Sequence, residues 1–217
     1  VIKKIDDLGY EIGSHSNLHT LAYNQTRKEF KIDLEKSINT IEDITGKKVK
    51  YYRAPGFSLK EENKWVFDEL INQGIEIDCS IFPASRSHGG FEKFPSKSPV
   101  LVSVKGRNIK EFPINTFSLF GKNLIFSGGG YFRLIPYPLI KILTKRSRYV
   151  MTYFHPRDFD FNQPMINDLS KLRKFKSYYG LRNAYHKLEK LIRDFDFIDL
   201  HEANQKFNWV ESEIIKI

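Results

Sequence analysis

Two histidines four positions apart, His15 and His19 in the segment SHSNLH, are the residues of this 217-residue chain with the plainest capacity to hold a cation. An H-x-x-x-H spacing brings both imidazoles to one side of a helical turn, where two nitrogens can share a divalent metal. By itself the pair is more often two polar residues in a turn, because such spacings arise freely. Its placement adds weight. Gly13 and Ser14 separate it from YEIG, which reads as a short buried strand, so the histidines fall at a strand's carboxyl end, where α/β sheets keep their sites.

Three further groups recur at such ends. In YYRAPGF, Pro55 restricts Ala54 to extended geometry and Gly56 permits a tight turn, which holds Arg53 at the strand end. Its guanidinium could orient a carboxylate or meet an anionic substrate, or simply be solvated. Asp78 in IEIDCSIFP would be costly to bury unpaired, so Arg53 or a histidine is an attractive partner, with a turn aspartate as the plain alternative. His155 in YVMTYFHPRDFD is delivered by a strand-forming run and fixed by Pro156. Each alone reads as structural, but four such groups at four strand ends are hard to obtain from packing.

The elements that must position them can be read from periodicity. Phe30, Leu34, Ile38, Ile41 and Ile44 recur at helical steps between a Thr26-x-x-Glu29 capping box and Gly46. VKYYR reads as a strand and APGF as a turn. Ser58-x-x-Glu61 reads as a second capping box, opening a helix with Trp65, Leu70 and Ile71 that ends at Gly74, and IEIDCSIF is the next strand. Strand, loop and helix in repetition predict parallel strands with crossover helices. Residues 83–130, rich in Gly, Pro and Ser, read as an irregular β insertion in a single domain spanning 1–217. YVMTYF is a further strand, the stretch from Asn167 to Phe195 is helical, and DFIDL is a last strand. The opening VIKKIDDLGY reads as the end of a helix closing at Gly9, so residues upstream of Val1 are expected.

Composition bounds the function. Hydrophobic residues at 41% with 18 Phe and 11 Tyr exclude a disordered chain. The single cysteine, Cys79, excludes an internal disulfide and a cysteine-based zinc site. The net charge of +9 favours anionic partners, but the charges look scattered, which argues against a nucleic-acid-binding protein. KLRKFK with Tyr178 and Tyr179 could line a nucleic-acid or membrane face, and peripheral membrane association stays open, although a solvated helix is the default. SGGGYFR reads as a flexible turn rather than a phosphate nest. The lone thiol and the absence of a visible export signal lean towards the cytoplasm.

In this order, SHSNLH, RAPG, IDCSIFP and YFHP resemble the consecutive motifs of the polysaccharide deacetylase family, also called the NodB-homology family or carbohydrate esterase family four. SGGGYFRLIPY and YFHPRDFD look like its surface-glycan and exopolysaccharide biosynthesis branch. The resemblance implies a distorted (β/α) barrel and metal-dependent hydrolysis of N-acetyl groups on a polysaccharide or oligosaccharide. By that likeness His15 and His19 are metal ligands and Arg53 orients the catalytic carboxylate. Asp78 belongs to the supporting network, His155 is the general acid, and Phe57 and Tyr131 wall the sugar. The implied cofactor is a divalent metal, zinc first, with cobalt, nickel or manganese also suited to such donors. The family's first motif, with its aspartate base and aspartate ligand, would lie upstream of Val1, so the barrel is expected to lack its N-terminal strand segment here. The alternative is a catalytically inactive glycan-binding domain that keeps the groove.

Overall fold

In the computed structural model, which describes residues 1–85, 89–119 and 122–217, the chain begins with α1 (Ile2–Asp7), α2 (Arg27–Thr45), β1 (Tyr51–Tyr52), α3 (Trp65–Asn72) and β2 (Ile77–Asp78). Strands β3 (Val100–Val104), β4 (Arg107–Glu111), β5 (Phe117–Leu119) and β6 (Lys122–Leu124) follow. Helices α4 (Gly129–Leu134), α5 (Tyr137–Arg146), α6 (Lys171–Tyr178), α7 (Leu181–Asp194) and α8 (Leu200–Lys206) precede β7 (Ile214–Lys216). Two compact units result, one of residues 1–114 with 199–217 and one of 115–198. The strands of the 83–130 stretch are shared between them, β3 and β4 in the first and β5 and β6 in the second.

The first unit is α/β, with a five-stranded sheet in the order β1-β2-β4-β3-β7. β1, β2 and β4 run parallel, β3 pairs antiparallel with β4, and β7 adds parallel to β3. The β3–β4 hairpin turns through Lys105 and Gly106, both at positive φ (51° and 80°), the conformation that matches the twist of two tightly joined strands. Helix α2 forms where the periodicity predicts. Both hydrogen bonds of the Thr26–Glu29 capping box are made, and Gly46 closes the helix in the left-handed region at φ 70°. Its Phe30, Leu34, Ile38 and Ile41 join Val66, Phe67 and Leu70 of α3 and Val100, Val102 and Ile109 of the hairpin in one core. Burying each such side chain stabilises the fold by ~2 kcal/mol.

Several expected elements take other forms. YEIG does not form a regular strand: only Ser14 bridges, in parallel, to Tyr52. The backbones close tightly there, since a Cβ on Gly13 would lie 2.9 Å from the Tyr51 carbonyl oxygen. Ser58 is not a helix cap. Its buried hydroxyl accepts the Ala22 N–H at 2.9 Å, and Asn63 Oδ1 instead accepts the Lys60 N–H at 2.7 Å ahead of α3. DFIDL is not a strand because Asp199 caps α8, accepting the Glu202 N–H at 2.8 Å. The closing strand of the sheet is β7, further along.

In the second unit β5 and β6 pair antiparallel, and α4, α5 and α7 enclose Phe126, Phe132, Ile140, Leu143 and Leu191. YVMTYF yields only a parallel bridge between Tyr153 and Gly128. The helical stretch breaks at Gly180, at φ 75°, where an added Cβ would lie 2.8 Å from the Arg133 carbonyl oxygen. Buried Arg133 explains that approach. Its guanidinium donates to the carbonyl oxygens of Ser177 (2.7 Å), Lys176 (3.0 Å) and Tyr179 (3.2 Å), the acceptors that α6 leaves unsatisfied at its end. Lys187 does the same for α4, with Nζ 2.6 Å from the Arg133 oxygen and 2.8 Å from that of Ile135. No helix among the described residues is long and apolar enough to cross a membrane.

Candidate functional site

The His15–His19 segment is a loop rather than a helical turn, and what holds it is Asp33 of α2. One carboxylate oxygen accepts the Asn17 N–H at 3.0 Å and the other the Leu18 N–H at 2.9 Å. Ser16 and His19 both sit in the left-handed region, at φ 64° and 56°, a conformation that costs about 1 kcal/mol or more in each non-glycine residue. The Asp33 bonds offset that cost, together with the Ser16 Oγ that accepts the His19 N–H at 2.9 Å. Ser14, just before the loop, is buried with its Oγ 2.8 Å from that of Ser37 on α2.

His15 Nδ1 lies 2.6 Å from the Arg53 carbonyl oxygen. A carbonyl only accepts, so Nδ1 carries the proton and the neutral ring's lone pair is at Nε2. Metal-binding histidines are commonly oriented by such a bond through their other nitrogen. Two imidazoles sharing a tetrahedral cation at ~2.0–2.1 Å have ring centres roughly 5 Å apart. Those of His15 and His19 are 5.0 Å apart at an interplanar angle of 75°. Ordinary edge-to-face packing has the same spacing, so the tautomer of His15 is the more discriminating feature. The spacing of the ring centres is that of a shared cation. Among the described residues no group of three or more His, Cys, Asp or Glu is gathered for a metal, so the pair would supply two of its ligands.

Arg53, half-buried at the end of β1, donates from Nε to the Cys79 carbonyl oxygen at 3.2 Å, and its guanidinium lies 5.6 Å from the Phe57 ring centre. Phe57 is buried against Phe82. Asp78 faces elsewhere. It is fully buried, accepts from Ser80 Oγ at 2.5 Å, and meets Glu111 in register across β2 and β4. Two carboxyl groups can bond only through a shared proton, and burial together with their mutual repulsion pushes Glu111 well above its ordinary value. Burial likewise pushes Asp78 up, against the hydrogen bonds from Glu111 and Ser80. Ser80 Oγ also accepts the Ala54 N–H at 2.7 Å, so the acid pair supports the turn that follows Arg53. Buried Cys79 has its thiol pushed up to about 12, chiefly by desolvation, and is no nucleophile at neutral pH.

His155 and Tyr131 belong to the second unit. Asp158, at the end of the short Pro156–Asp158 turn, accepts the His155 N–H at 3.0 Å, with Oδ2 3.5 Å from Nδ1. Burial works to raise the Asp158 carboxyl, but its hydrogen bonds from His155 and the charge of the Arg133 guanidinium, 3.3 Å away, outweigh that and hold it below the ordinary range. The His155 ring is more than half exposed. Tyr131, in α4, is exposed as well. His88, which has no assigned role, lies outside the described residues.

Asp33, Glu111, Ser80, Asp158 and Arg133 were not among the expected site residues. Asp33 had a signal in the sequence, a carboxylate on the apolar side of α2 between Phe30 and Leu34, and Asp158 another, an acid three residues after His155. Glu111 and Arg133 had none.

The polysaccharide deacetylase family model matches residues 1–73, and a model described as a domain of unknown function (DUF3473) matches residues 79–205. The chain belongs to the polysaccharide deacetylase family. A crystal structure described as a polysaccharide deacetylase from Mycobacterium smegmatis aligns over 96% of this chain and 68% of its own, at 17% identity and TM-score 0.54, which shows the shared fold. A 4-alpha-glucanotransferase from Thermococcus litoralis aligns over 99% of this chain and 29% of its own, at 14% identity and TM-score 0.56. A mutant of a CE4 family pseudoenzyme with restored enzymatic activity is 28% identical over 34% of this chain, at TM-score 0.32. This chain spans 26% of that protein's length. No curated protein sequence matches. For this deacetylase-family chain the mixed α/β fold with a parallel sheet is as expected.

Proposed function

We propose that this polysaccharide deacetylase family member hydrolyses N-acetyl groups on a surface polysaccharide or its precursor, using a divalent cation, zinc first among the candidates, held by His15 and His19. The observation that carries the reading is the pair of rings 5.0 Å apart, one of them fixed as the Nδ1–H tautomer by the Arg53 carbonyl. When bound, such a cation supplies Lewis-acid polarisation of the acetamide carbonyl and an acidified water.

The chain's own residues do the rest. Asp33 keeps both imidazoles in place through the loop backbone. Arg53, at the end of β1, orients a carboxylate, and the buried Asp78–Glu111 pair supports its turn through Ser80. As water oxygen bonds to the acetyl carbon its proton passes to the carboxylate that Arg53 orients, and as the carbon–nitrogen bond breaks His155 gives its proton to the departing amine, with Asp158 fixing the His155 backbone. Tyr131, exposed on α4, offers flat apolar surface to a sugar ring, while buried Phe57 backs the Arg53 guanidinium.

The test is metal analysis with acetate release from N-acetylated glycans by the full protein. Metal-dependent acetate release that is lost in His15→Ala and His19→Ala supports the reading. Glycan retention with no acetate release, metal present, leaves the chain as a binding domain and overturns hydrolysis.

A further inference from the structure

The charge that looks scattered along the sequence is segregated in the fold. Residues 115–198 contain 15 Lys and Arg against 6 Asp and Glu, an excess of +9, while the rest of the chain has 20 of each. The second unit therefore carries the whole net charge.

Within that unit α6 is turned the wrong way for a helix seeking a core. None of its residues is buried, Leu172 and Phe175 are 63% and 47% exposed, and Tyr179 just beyond stacks against Phe175 at 4.8 Å between ring centres. The inward positions are Lys174, Ser177 and Tyr178. What holds the helix is polar: the Arg133 guanidinium grips the carbonyl oxygens at its end. Tyr178 Oη accepts the Ile166 N–H at 2.8 Å and donates to the Pro164 oxygen at 3.1 Å, fastening the preceding loop to the same helix. That loop exposes Met165 and Ile166 by 61% and 57%. Apolar groups thus stand outward together, flanked by Lys171, Arg173 and Lys176.

We propose that this surface of the second unit, Met165 to Tyr179, docks the protein on an anionic lipid bilayer. Exposed aliphatic and aromatic side chains interleaved with basic ones suit the headgroup boundary, where the first enter the acyl edge and the second meet lipid phosphates. The unit's charge excess is complementary to such a surface and draws the protein to it. A nucleic-acid partner would use the cations and aromatic rings but has no place for Met165, Ile166 and Leu172. The inference is independent of the histidine site.

The experiment is co-sedimentation of the full protein with vesicles. It should pellet with vesicles containing about one-third phosphatidylglycerol, stay in solution with pure phosphatidylcholine, and be released by about 0.5 M salt. Leu172→Ser with Phe175→Ser, and separately Lys171→Gln with Arg173→Gln and Lys176→Gln, should each weaken binding roughly tenfold or more. All five side chains are exposed, and either variant suffices should the other fail to fold. No pelleting with the anionic vesicles overturns the proposal, as does pelleting that both variants leave unchanged. Retention on a single-stranded oligonucleotide without vesicle binding overturns it in favour of nucleic acid.

Discussion

The ring of His15 is tied to the strand end that carries Arg53: its Nδ1 donates to the Arg53 carbonyl oxygen at 2.6 Å, while the Arg53 N–H donates to the Ser14 oxygen at 3.1 Å. The histidine loop and the arginine turn are therefore one rigid assembly, and Asp33 closes it from the side of α2.

Asp33→Ala should loosen that assembly. Two backbone N–H groups lose a buried acceptor, at a cost of about 1–3 kcal/mol in urea unfolding. Zinc titration should show affinity reduced roughly 10–100-fold, the usual effect of removing a group that orients a metal ligand. Unchanged zinc affinity in a folded Asp33→Ala protein would separate the loop from metal binding.

His155→Ala tests the proton donor. Deacetylation should fall by roughly two to four decades with metal content unchanged. Near-normal turnover would remove His155 from the mechanism.

The Asp78–Glu111 pair predicts a pH dependence of stability. Both folded carboxyls are raised, first by burial, so the folded pair retains a proton that the unfolded chain releases. Its contribution is complete below the ordinary carboxylate range and declines as pH rises from about 4, by up to ~1.4 kcal/mol per unit for one retained proton. Glu111→Gln keeps the hydrogen bond without the proton, so its urea midpoints between about pH 5 and 8 should slope less than those of the wild type. Parallel slopes would sink the shared-proton assignment.

Asp68 predicts the opposite sign. Lys105 Nζ at 2.8 Å and Arg27 at 2.5 Å bond its buried carboxylate, with Arg107 at 2.7 Å, and hold it down at about 2. Its contribution is present above its unfolded value of 3.8 and lost as pH falls towards about 2. Asp68→Asn should therefore destabilise by ~2–3 kcal/mol near neutral pH, and the gap to wild type should close in acid, read from thermal or urea unfolding.

By itself the sequence determined what local physics decides. The span of α2 followed from apolar spacing between a capping box and Gly46, interactions that act within a few residues. The order of SHSNLH, RAPG, IDCSIFP and YFHP was enough for the family, because motif order is a property of the chain and not of its packing. Tertiary structure decided the remainder. YEIG and YVMTYF have strand-like composition, but a strand exists only where a neighbour offers its hydrogen bonds, and each found a single bridge. For Asp78 the attractive partners were Arg53 or a histidine, and it instead meets Glu111, 33 residues further on, because the register of β2 against β4 sets that pairing. The division of charge into a neutral unit and one carrying +9 became visible only once contacts had marked where one ends, since a sequence-wide sum averages over both.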